Sequence, residues 1–388
     1  MFAKIREYSI PLIAGVFIAL IWANLSPETY QKFIYTELIG NINFHFLVND
    51  IFMAFFFGIA GVEIVNSLSP GGALNPVKKA VTPLMATAGG VICPAVLFLV
   101  FNSLFGSPEF TNGWGICTAT DIALAWLLAR LIFGKNHPAV SFLLLLAVAD
   151  DGVGLAIIAI FYPDPTMPTE PFWLLLVVAG MLVAALMKKK GLNNYVPYIF
   201  IAGTMAWIGM HNAHLHPALA LVFIVPFLPK TGKVEHHKSS QGLDDAVGHS
   251  PLERFENQVS PIVDYGLILF GISNAGVEFA EVNALTWIVF ASLVIGKTIG
   301  ISLFTWIATL LKFKLPEGMH PKDVFIAGVV GGMGLTVALF VAGSAYTDLA
   351  MQESAKMGAL FTVAVFVIAF VLSKIVGIKK WKEDLESN

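Results

Sequence analysis

The sequence predicts an all-α integral membrane protein with about 12 transmembrane helices. Hydrophobic residues make up 57% of its 388 residues and charged residues only 13%, whereas soluble domains carry roughly 25% charged residues. Apolar stretches recur along the whole chain, each close to the ~20 residues that a helix needs to cross a bilayer. We therefore expect residues 1–388 to form a single polytopic membrane domain.

Windowed hydropathy places the spans in order along the chain. The first follows Lys4 and Arg6 and superficially resembles a signal peptide, but many spans come after it, so we expect it to be the first membrane helix. The predicted spans cover residues 9–25, 45–67, 79–104, 113–134, 138–162, 171–188, 194–210, 212–228, 255–278, 284–311, 323–345 and 354–377.

The basic residues indicate how the chain is oriented. With loops assigned alternately to the two sides, 20 of the 23 Lys and Arg residues lie on the side of the termini, Lys32 and Lys356 lie on the other, and Lys297 lies within a span. Lys and Arg concentrate in cytoplasmic loops. We expect a bacterial inner-membrane protein with both termini in the cytoplasm.

Two segments outside the spans have their own patterns. Residues 33–46 alternate around Gly40 and Asn41, a turn-forming pair that predicts a small extracytoplasmic β-hairpin, able to pair with its copy in a second subunit. Residues 230–250 are polar and predict a cytoplasmic loop; a solvated linker is favoured there over a metal site at its paired histidines. A net charge of −3 and basic residues at helix ends give no reason to expect nucleic-acid binding.

Ionisable residues within the spans are the candidates for function, because a charge in mid-bilayer costs about 2.5–3.5 kcal/mol or more. Asp150 and Asp151 lie in the middle of the fifth span. As neighbours in a helix they project about 100° apart, so one can hold an ion while the other holds a partner. A purely structural hydrogen-bonding role is disfavoured, because two adjacent buried carboxylates are a costly way to obtain packing. The other ionisable residues in spans are Glu63, Asp121, His216, Asp264 and Lys297.

Two buried carboxyl groups are suited to exchanging ions. Burial and a neighbouring like charge both disfavour the ionised form, so that protons and sodium ions compete for the same oxygens near neutral pH. A site that either ion can occupy, opened alternately to each side, exchanges one for the other. Lys297 needs a carboxylate partner, for which Asp150 and Asp151 are the candidates; it is either a second proton carrier or a structural ion pair.

The fourth and eleventh spans are predicted to be interrupted. The fourth carries glycines and threonines up to Asp121, and the eleventh carries Gly328 to Gly334 and Thr336. Unwound backbone at membrane depth is tolerated only around a protein-lined or water-filled cavity, and paired interruptions in two repeats mark a transporter's binding site. Spans 3–5 and 10–12 would be those repeats, with inverted topology. Close small-xxx-small packing is the alternative explanation for the glycines.

These patterns resemble the NhaA-type sodium/proton antiporters, and the match covers nearly the whole chain. The most specific segments are TATDIA at 118–123, ADDGVG at 149–154, SNAGV at 273–277, IGK at 295–297 and GMGLT at 332–336.

The resemblance implies specific roles. Asp151 would be the principal cation ligand, and Asp150 its proton-carrying neighbour, salt-bridged to Lys297. Thr120 and Asp121 would belong to the crossing of the interrupted helices, together with Gly334 and Thr336. The family further implies electrogenic exchange of two protons for one Na+ or Li+ and a homodimer joined through the outer 33–46 hairpin, in a membrane of lipid. No cofactor and no enzymatic activity are expected.

The chain departs from the family where pH regulation is usually placed. Glu63, His216 and Glu256 match, but the charged residues expected after Glu63 are replaced by Val65, Asn66 and Ser67, and two histidines of the ninth span by Asn257 and Ser260. We predict a shifted or flatter pH profile.

Two other functions remain as alternatives from the sequence. A carrier of the same fold that transports K+ or another proton-coupled substrate is the nearer one. An intramembrane aspartyl protease is remote, because the sequence has no Gly-x-Gly-Asp motif and adjacent aspartates cannot address one water from opposite helices.

Overall fold

The computed structural model describes residues 9–40, 42–75, 77–163, 167–230, 250–378 and 380. A 3-10 helix, Pro108–Cys117, precedes helix α5, and a π-helical turn, Tyr198–Gly203, precedes α8. The α-helical elements are α1 Ile10–Leu25, α2 Pro27–Tyr35, α3 Phe44–Leu68, α4 Val77–Phe105, α5 Ile122–Phe133, α6 Pro138–Phe161, α7 Pro171–Lys189, α8 Thr204–Asn212, α9 Pro217–Phe227, α10 Pro251–Asn274, α11 Ala284–Leu310, α12 Pro321–Gly331, α13 Thr336–Ala345 and α14 Leu349–Ile375.

The number of membrane spans depends on how the bent helices are counted. Within the described residues, six helices are long and apolar enough to cross a membrane, or up to eight if each of two bent pairs is one span. Each of the 12 predicted spans overlaps a helical segment. The all-helical, multi-pass architecture is thus confirmed, whereas the exact count of 12 stays a prediction.

Helix starts follow from local sequence. Proline stands in the first turn of many of these helices, where its missing N–H costs no hydrogen bond. At α10, Glu253 N–H donates to Ser250 Oγ, and Ser250 N–H donates back to the Glu253 carboxylate. At α6, His137 Nδ1 accepts the N–H of Ala139 at 3.1 Å. Burial lowers the pKa of His137, so the ring stays neutral and this nitrogen remains an acceptor.

The predicted hairpin is present. Strands β1, Glu37–Ile39, and β2, Ile42–Asn43, pair antiparallel, and Gly40 has a φ of 56° at the turn. Asn41 lies outside the described residues. Ile39 is 79% exposed, so the hairpin presents apolar surface; its side of the membrane and its pairing with a second subunit stay predictions. The predicted 230–250 loop falls almost entirely on residues outside the described ranges.

Both predicted interruptions are present. The 3-10 helix Pro108–Cys117 and α5 meet at an angle of 58°, and α12 and α13 meet at 49°. Each bent pair is the middle member of three consecutive segments, between α4 and α6 in one case and between α11 and α14 in the other. The two breaks correspond in position, as the repeat prediction requires.

Glycines bring helices into direct backbone contact around the broken pairs. A Cβ on Gly300 of α11 would lie 2.0 Å from the Gly89 carbonyl oxygen of α4, and a Cβ on Gly332 would lie 2.9 Å from Val294 Cα. A Cβ on Gly328 would likewise lie 3.0 Å from the Thr298 carbonyl oxygen. The close-packing explanation therefore holds for Gly328 and Gly332, alongside the helix break that follows them.

Candidate functional site

Asp150 and Asp151 lie side by side in the middle of α6, and both are buried. Their exposed fractions are 0% and 8%. Because consecutive helical residues point about 100° apart, the two carboxylates have different neighbours: Asp150 contacts Lys297, and Asp151 faces a cavity.

Asp150 forms an ion pair with Lys297, which is also completely buried. Lys297 follows a π-helical turn, Ser292–Gly296, inside the long helix α11. Its Nζ also donates to the Thr118 carbonyl at 2.6 Å and to Thr120 Oγ1 at 2.9 Å. These three acceptors match the three N–H groups of an ammonium. The charge is thus both paired and hydrogen-bonded, as a buried charge must be.

Thr120 joins this ion pair to the second broken helix. Its hydroxyl lies 2.7 Å from Asp150 Oδ2 and 3.0 Å from the Gly331 carbonyl oxygen. A hydroxyl has one proton to donate, so it can serve only one of these acceptors at a time. Gly331 ends α12, and Thr118 follows the 3-10 helix, so their carbonyls are negative helix ends. The ammonium of Lys297 offsets that negative charge.

Asp121 occupies the opposite, positive ends of the same breaks. Its Oδ1 accepts the N–H of Leu124 at 3.1 Å, capping α5, and its Oδ2 accepts the N–H and hydroxyl of Thr336 at 3.3 and 3.1 Å, at the start of α13. Its own N–H donates to the Met333 carbonyl at 2.7 Å. One carboxylate therefore serves two half-helix N-termini.

Gly334 lies at a close approach of the two broken helices. A Cβ at this position would lie 2.9 Å from the Ala119 carbonyl oxygen and 2.9 Å from Leu293 Cδ2. Any larger side chain would push the breaks apart. Gly334 thus sets the spacing that lets Asp121 reach Thr336.

Asp151 faces a cavity of about 140 Å³, here called the Asp151 cavity. Its lining includes three further carboxyl groups, those of Glu63, Asp121 and Asp264, together with Thr336. Asp151 Oδ1 is buried and has no hydrogen-bond partner. The arrangement provides oxygen atoms and negative charge in a confined space, which suits a hard monovalent cation.

A second cavity, of about 510 Å³, lies next to the hairpin and is here called the hairpin-side cavity. Its lining includes His45, Asn49, His216 and Phe340. Phe340 of α13 is only four residues, or about 6 Å along a helix, from Thr336 in the wall of the Asp151 cavity. The Phe57 ring packs edge-on against Phe340 with centroids 5.2 Å apart. The Phe340 ring therefore lines the hairpin-side cavity one helical turn from the wall of the Asp151 cavity.

Of the three candidate pH-response residues, Glu63 and Glu256 lie near enough for their charges to interact, whereas His216 lies apart from them. Glu63 lines the Asp151 cavity. Glu256 accepts a hydrogen bond from Asn66 Nδ2 at 3.2 Å. His216 lies in the hairpin-side cavity, with its ring centroid 5.1 Å from that of Phe340. His216 begins its span whereas Glu63 lies late in its own, and the two residues line different cavities.

Three features of the site had no assigned role in the sequence. Asp264 was recognised as a charge within a span, but not as a neighbour of Asp151 in one cavity. The carbonyl groups of Thr118 and Gly331 belong to the backbone, so no residue type in the sequence indicates their role in the site. Their involvement follows only from knowing where each helix breaks.

Comparison with known proteins identifies the family. A family model described as Na+/H+ antiporter 1 matches residues 1–376. The Na(+)/H(+) antiporter NhaA of Desulfitobacterium hafniense is 59% identical over 381 residues, covering 98% of this chain and 97% of that protein. The chain belongs to the NhaA family of Na+/H+ antiporters. A second NhaA protein, from Geotalea uraniireducens, is 54% identical over 376 residues, which are 97% of each chain.

A solved structure shares the fold. The sodium proton antiporter MjNhaP1 from Methanocaldococcus jannaschii superposes with a TM-score of 0.50, covering 97% of this chain and 100% of that one at 13% sequence identity. NhaA proteins are transporters. Membership in their family confirms the prediction that this chain is not an enzyme and removes the reason to consider a protease.

Proposed function

We propose that this chain exchanges Na+ or Li+ for protons at Asp150 and Asp151, and that the exchange is electrogenic. Membership in the NhaA family supports cation/proton exchange. The observation that carries the assignment to these residues is their position: two adjacent buried carboxyl groups, one paired with Lys297 and the other facing the Asp151 cavity.

Asp151 is the proposed cation ligand. Its unpartnered Oδ1 and the nearby carboxylates offer oxygens to a hard cation. Because those oxygens accept either a proton or a metal ion, binding of one displaces the other. Coupling then needs no catalytic group beyond the competing ligands.

Asp150 and Lys297 are the proposed second proton-carrying unit. A carboxylate that turns towards a cation at Asp151 weakens its hold on the ammonium, and a buried ammonium without its partner is destabilised. Lys297 would then release its proton, so that two protons exchange for one monovalent cation. The Thr120 hydroxyl can donate either to Asp150 or to the Gly331 carbonyl. It therefore keeps a hydrogen-bond acceptor when the Asp150 carboxylate turns away.

The broken helices are the proposed moving parts. Asp121 and Lys297 compensate the partial charges at the ends of the broken helices. The unwound segments are therefore stabilised without continuous helical hydrogen bonding. A tilt of these segments would expose Asp151 alternately to the Asp151 cavity and to the hairpin-side cavity, as alternating access requires.

The test is transport in proteoliposomes with Na+, Li+ and K+ compared. The native protein should move protons in response to Na+ and Li+ and generate a membrane potential, and Asp151→Asn should abolish both. Asp348→Asn is a matched control, because Asp348 is an exposed N-cap and asparagine caps helices equally well. Sodium-driven proton movement that survives Asp151→Asn would remove this residue from the mechanism. Equal or faster movement with K+ would favour the potassium carrier instead.

A further inference from the structure

The half-helix before the first break has an unusual form. Residues Pro108–Cys117 are all in a 3-10 helix, whereas 3-10 runs longer than about four residues are uncommon because their hydrogen bonds are poorly aligned. Contacts from outside the half-helix must therefore stabilise this form. The half-helix ends directly before Thr118, whose carbonyl accepts a hydrogen bond from Lys297 Nζ. Its shape thus decides where that carbonyl lies.

Tyr162 supplies the first of these contacts. It directly follows α6 and is 3% exposed. Its hydroxyl donates to the Asn112 carbonyl at 2.6 Å and accepts the N–H of Gly115 at 2.8 Å, which uses its one proton and one of its lone pairs. Gly115 makes this approach possible, since a Cβ there would lie 2.5 Å from the hydroxyl oxygen. The end of α6 therefore holds the half-helix through one buried side chain.

Tyr346 supplies the second contact, from the end of α13. It directly follows that helix and is 5% exposed. Its hydroxyl donates to the Phe110 carbonyl at 2.8 Å and accepts the N–H of Gly113, where a Cβ would collide with the hydroxyl oxygen. Each tyrosine thus bonds one carbonyl and one N–H of the half-helix. Tyr162 and Tyr346 are here called the tyrosine clamp.

The clamp is connected to the ion pair through the backbone. The Gly115 carbonyl accepts the N–H of Thr118 at 3.2 Å and its hydroxyl at 2.8 Å. The Thr118 carbonyl in turn lies 2.6 Å from Lys297 Nζ. Helix α6, from whose end Tyr162 holds Gly115, also carries Asp150. It therefore positions two partners of Lys297, the Asp150 carboxylate directly and the Thr118 carbonyl through the clamp.

We propose that Tyr162 and Tyr346 are positioning residues for the exchange. Their hydroxyls keep the half-helix in its 3-10 form and thereby hold the Thr118 carbonyl against the ammonium of Lys297. This role rests on the proposed exchange at the paired aspartates, and neither tyrosine binds the transported ions. When the clamp is removed, the half-helix relaxes and the carbonyl moves away. The ammonium is then left with fewer acceptors and gives up its proton more readily.

The test is Na+-driven proton transport by Tyr162→Phe in proteoliposomes, measured as a function of pH. The variant removes one hydroxyl and keeps the ring. We expect the acid-side pH of half-maximal activity to fall by about 0.5–1 unit, because an ammonium that loses an acceptor releases its proton more readily. Tyr346→Phe should shift this pH in the same direction. Both variants leave unchanged the titratable groups that interact with Lys297, which are Asp150, Asp151 and Cys117.

Tyr30→Phe is the matched control that separates positioning from a structural role. Tyr30 of α2 is 3% exposed, and its hydroxyl donates to the Ile272 carbonyl of α10 at 2.8 Å. Its removal should lower the thermal stability about as much as Tyr162→Phe does, but leave the pH of half-maximal activity unchanged. A native pH midpoint in both clamp variants, with or without a loss of rate, would overturn the proposal, as would an equal shift in Tyr30→Phe. Transport that survives Asp151→Asn would instead overturn the proposed function, so the two failures are distinguishable.

Discussion

Lys297 shows how a single buried charge is stabilised at membrane depth. Its ammonium has three acceptors from two parts of the chain: the Asp150 carboxylate of α6, and the Thr120 hydroxyl and Thr118 carbonyl of the unwound segment before α5. Removing one member of such a group leaves the other uncompensated, which is more costly than removing both.

This gives a prediction at the scale of one residue. Lys297→Met should destabilise the protein by about 3–5 kcal/mol, because Asp150 would be buried without its partner. The double variant Asp150→Asn/Lys297→Met should recover much of that loss. Thermal unfolding in detergent, followed by intrinsic tryptophan fluorescence, measures both. A double variant no more stable than Lys297→Met would show that the ion pair is not what Lys297 contributes to stability.

At the scale of elements, α13 links the two cavities. Its first residue, Thr336, lines the Asp151 cavity, and Phe340, one turn later, lines the hairpin-side cavity. Phe340 is only 3% exposed and packs against Phe57 and His216. The linings of the two cavities thus come within one helical turn of each other along α13, and we infer that the Phe340 ring contributes to the barrier between them.

Truncating that ring should open the barrier. We expect Phe340→Ala to make proteoliposomes leak protons in the absence of a Na+ gradient, because water would connect the two cavities. Phe325→Ala is a suitable control, since Phe325 is 37% exposed on α12. A pH-sensitive dye trapped in the vesicles reports the leak. If the Phe340→Ala protein inserts normally and its vesicles remain impermeable to protons, the barrier lies elsewhere.

At the scale of the whole molecule, two kinds of information were recoverable from the sequence. Apolar run lengths predicted the helical membrane fold, and glycine and threonine at membrane depth predicted both interruptions. Charges within apolar spans identified Asp150, Asp151 and Lys297 as candidates, because such residues are expensive there.

Other features depend on three-dimensional placement. Residue patterns left open which aspartate faces Lys297, because a helix position gives a direction but not a neighbour. The carbonyls of Thr118 and Gly331 become ligands only where the helices end. His216 and Glu63 are separated because their positions lie towards opposite ends of their spans, which resemblance to a family motif does not reveal.

The distribution of titratable groups also bears on pH dependence. Val65, Asn66 and Ser67 follow Glu63, and Asn257 and Ser260 follow Glu256, so these positions add no titratable side chain to the carboxyl groups already near Glu63. We predict a shifted or flatter pH profile of activity than is usual in the family. Dye-quench assays on vesicles across pH 6–9 would measure it, and a steep alkaline activation would contradict it.

The competition of two ions for the same oxygens is tested most directly in purified protein, without a membrane. Adding Na+ to detergent-solubilised protein in weak buffer at fixed pH should release protons, reported by a soluble pH dye. The variant Asp150→Asn/Asp151→Asn should release none, while K+ should release few from either protein. If Na+ released as many protons from the double variant as from the native protein, exchange at these two residues would be contradicted.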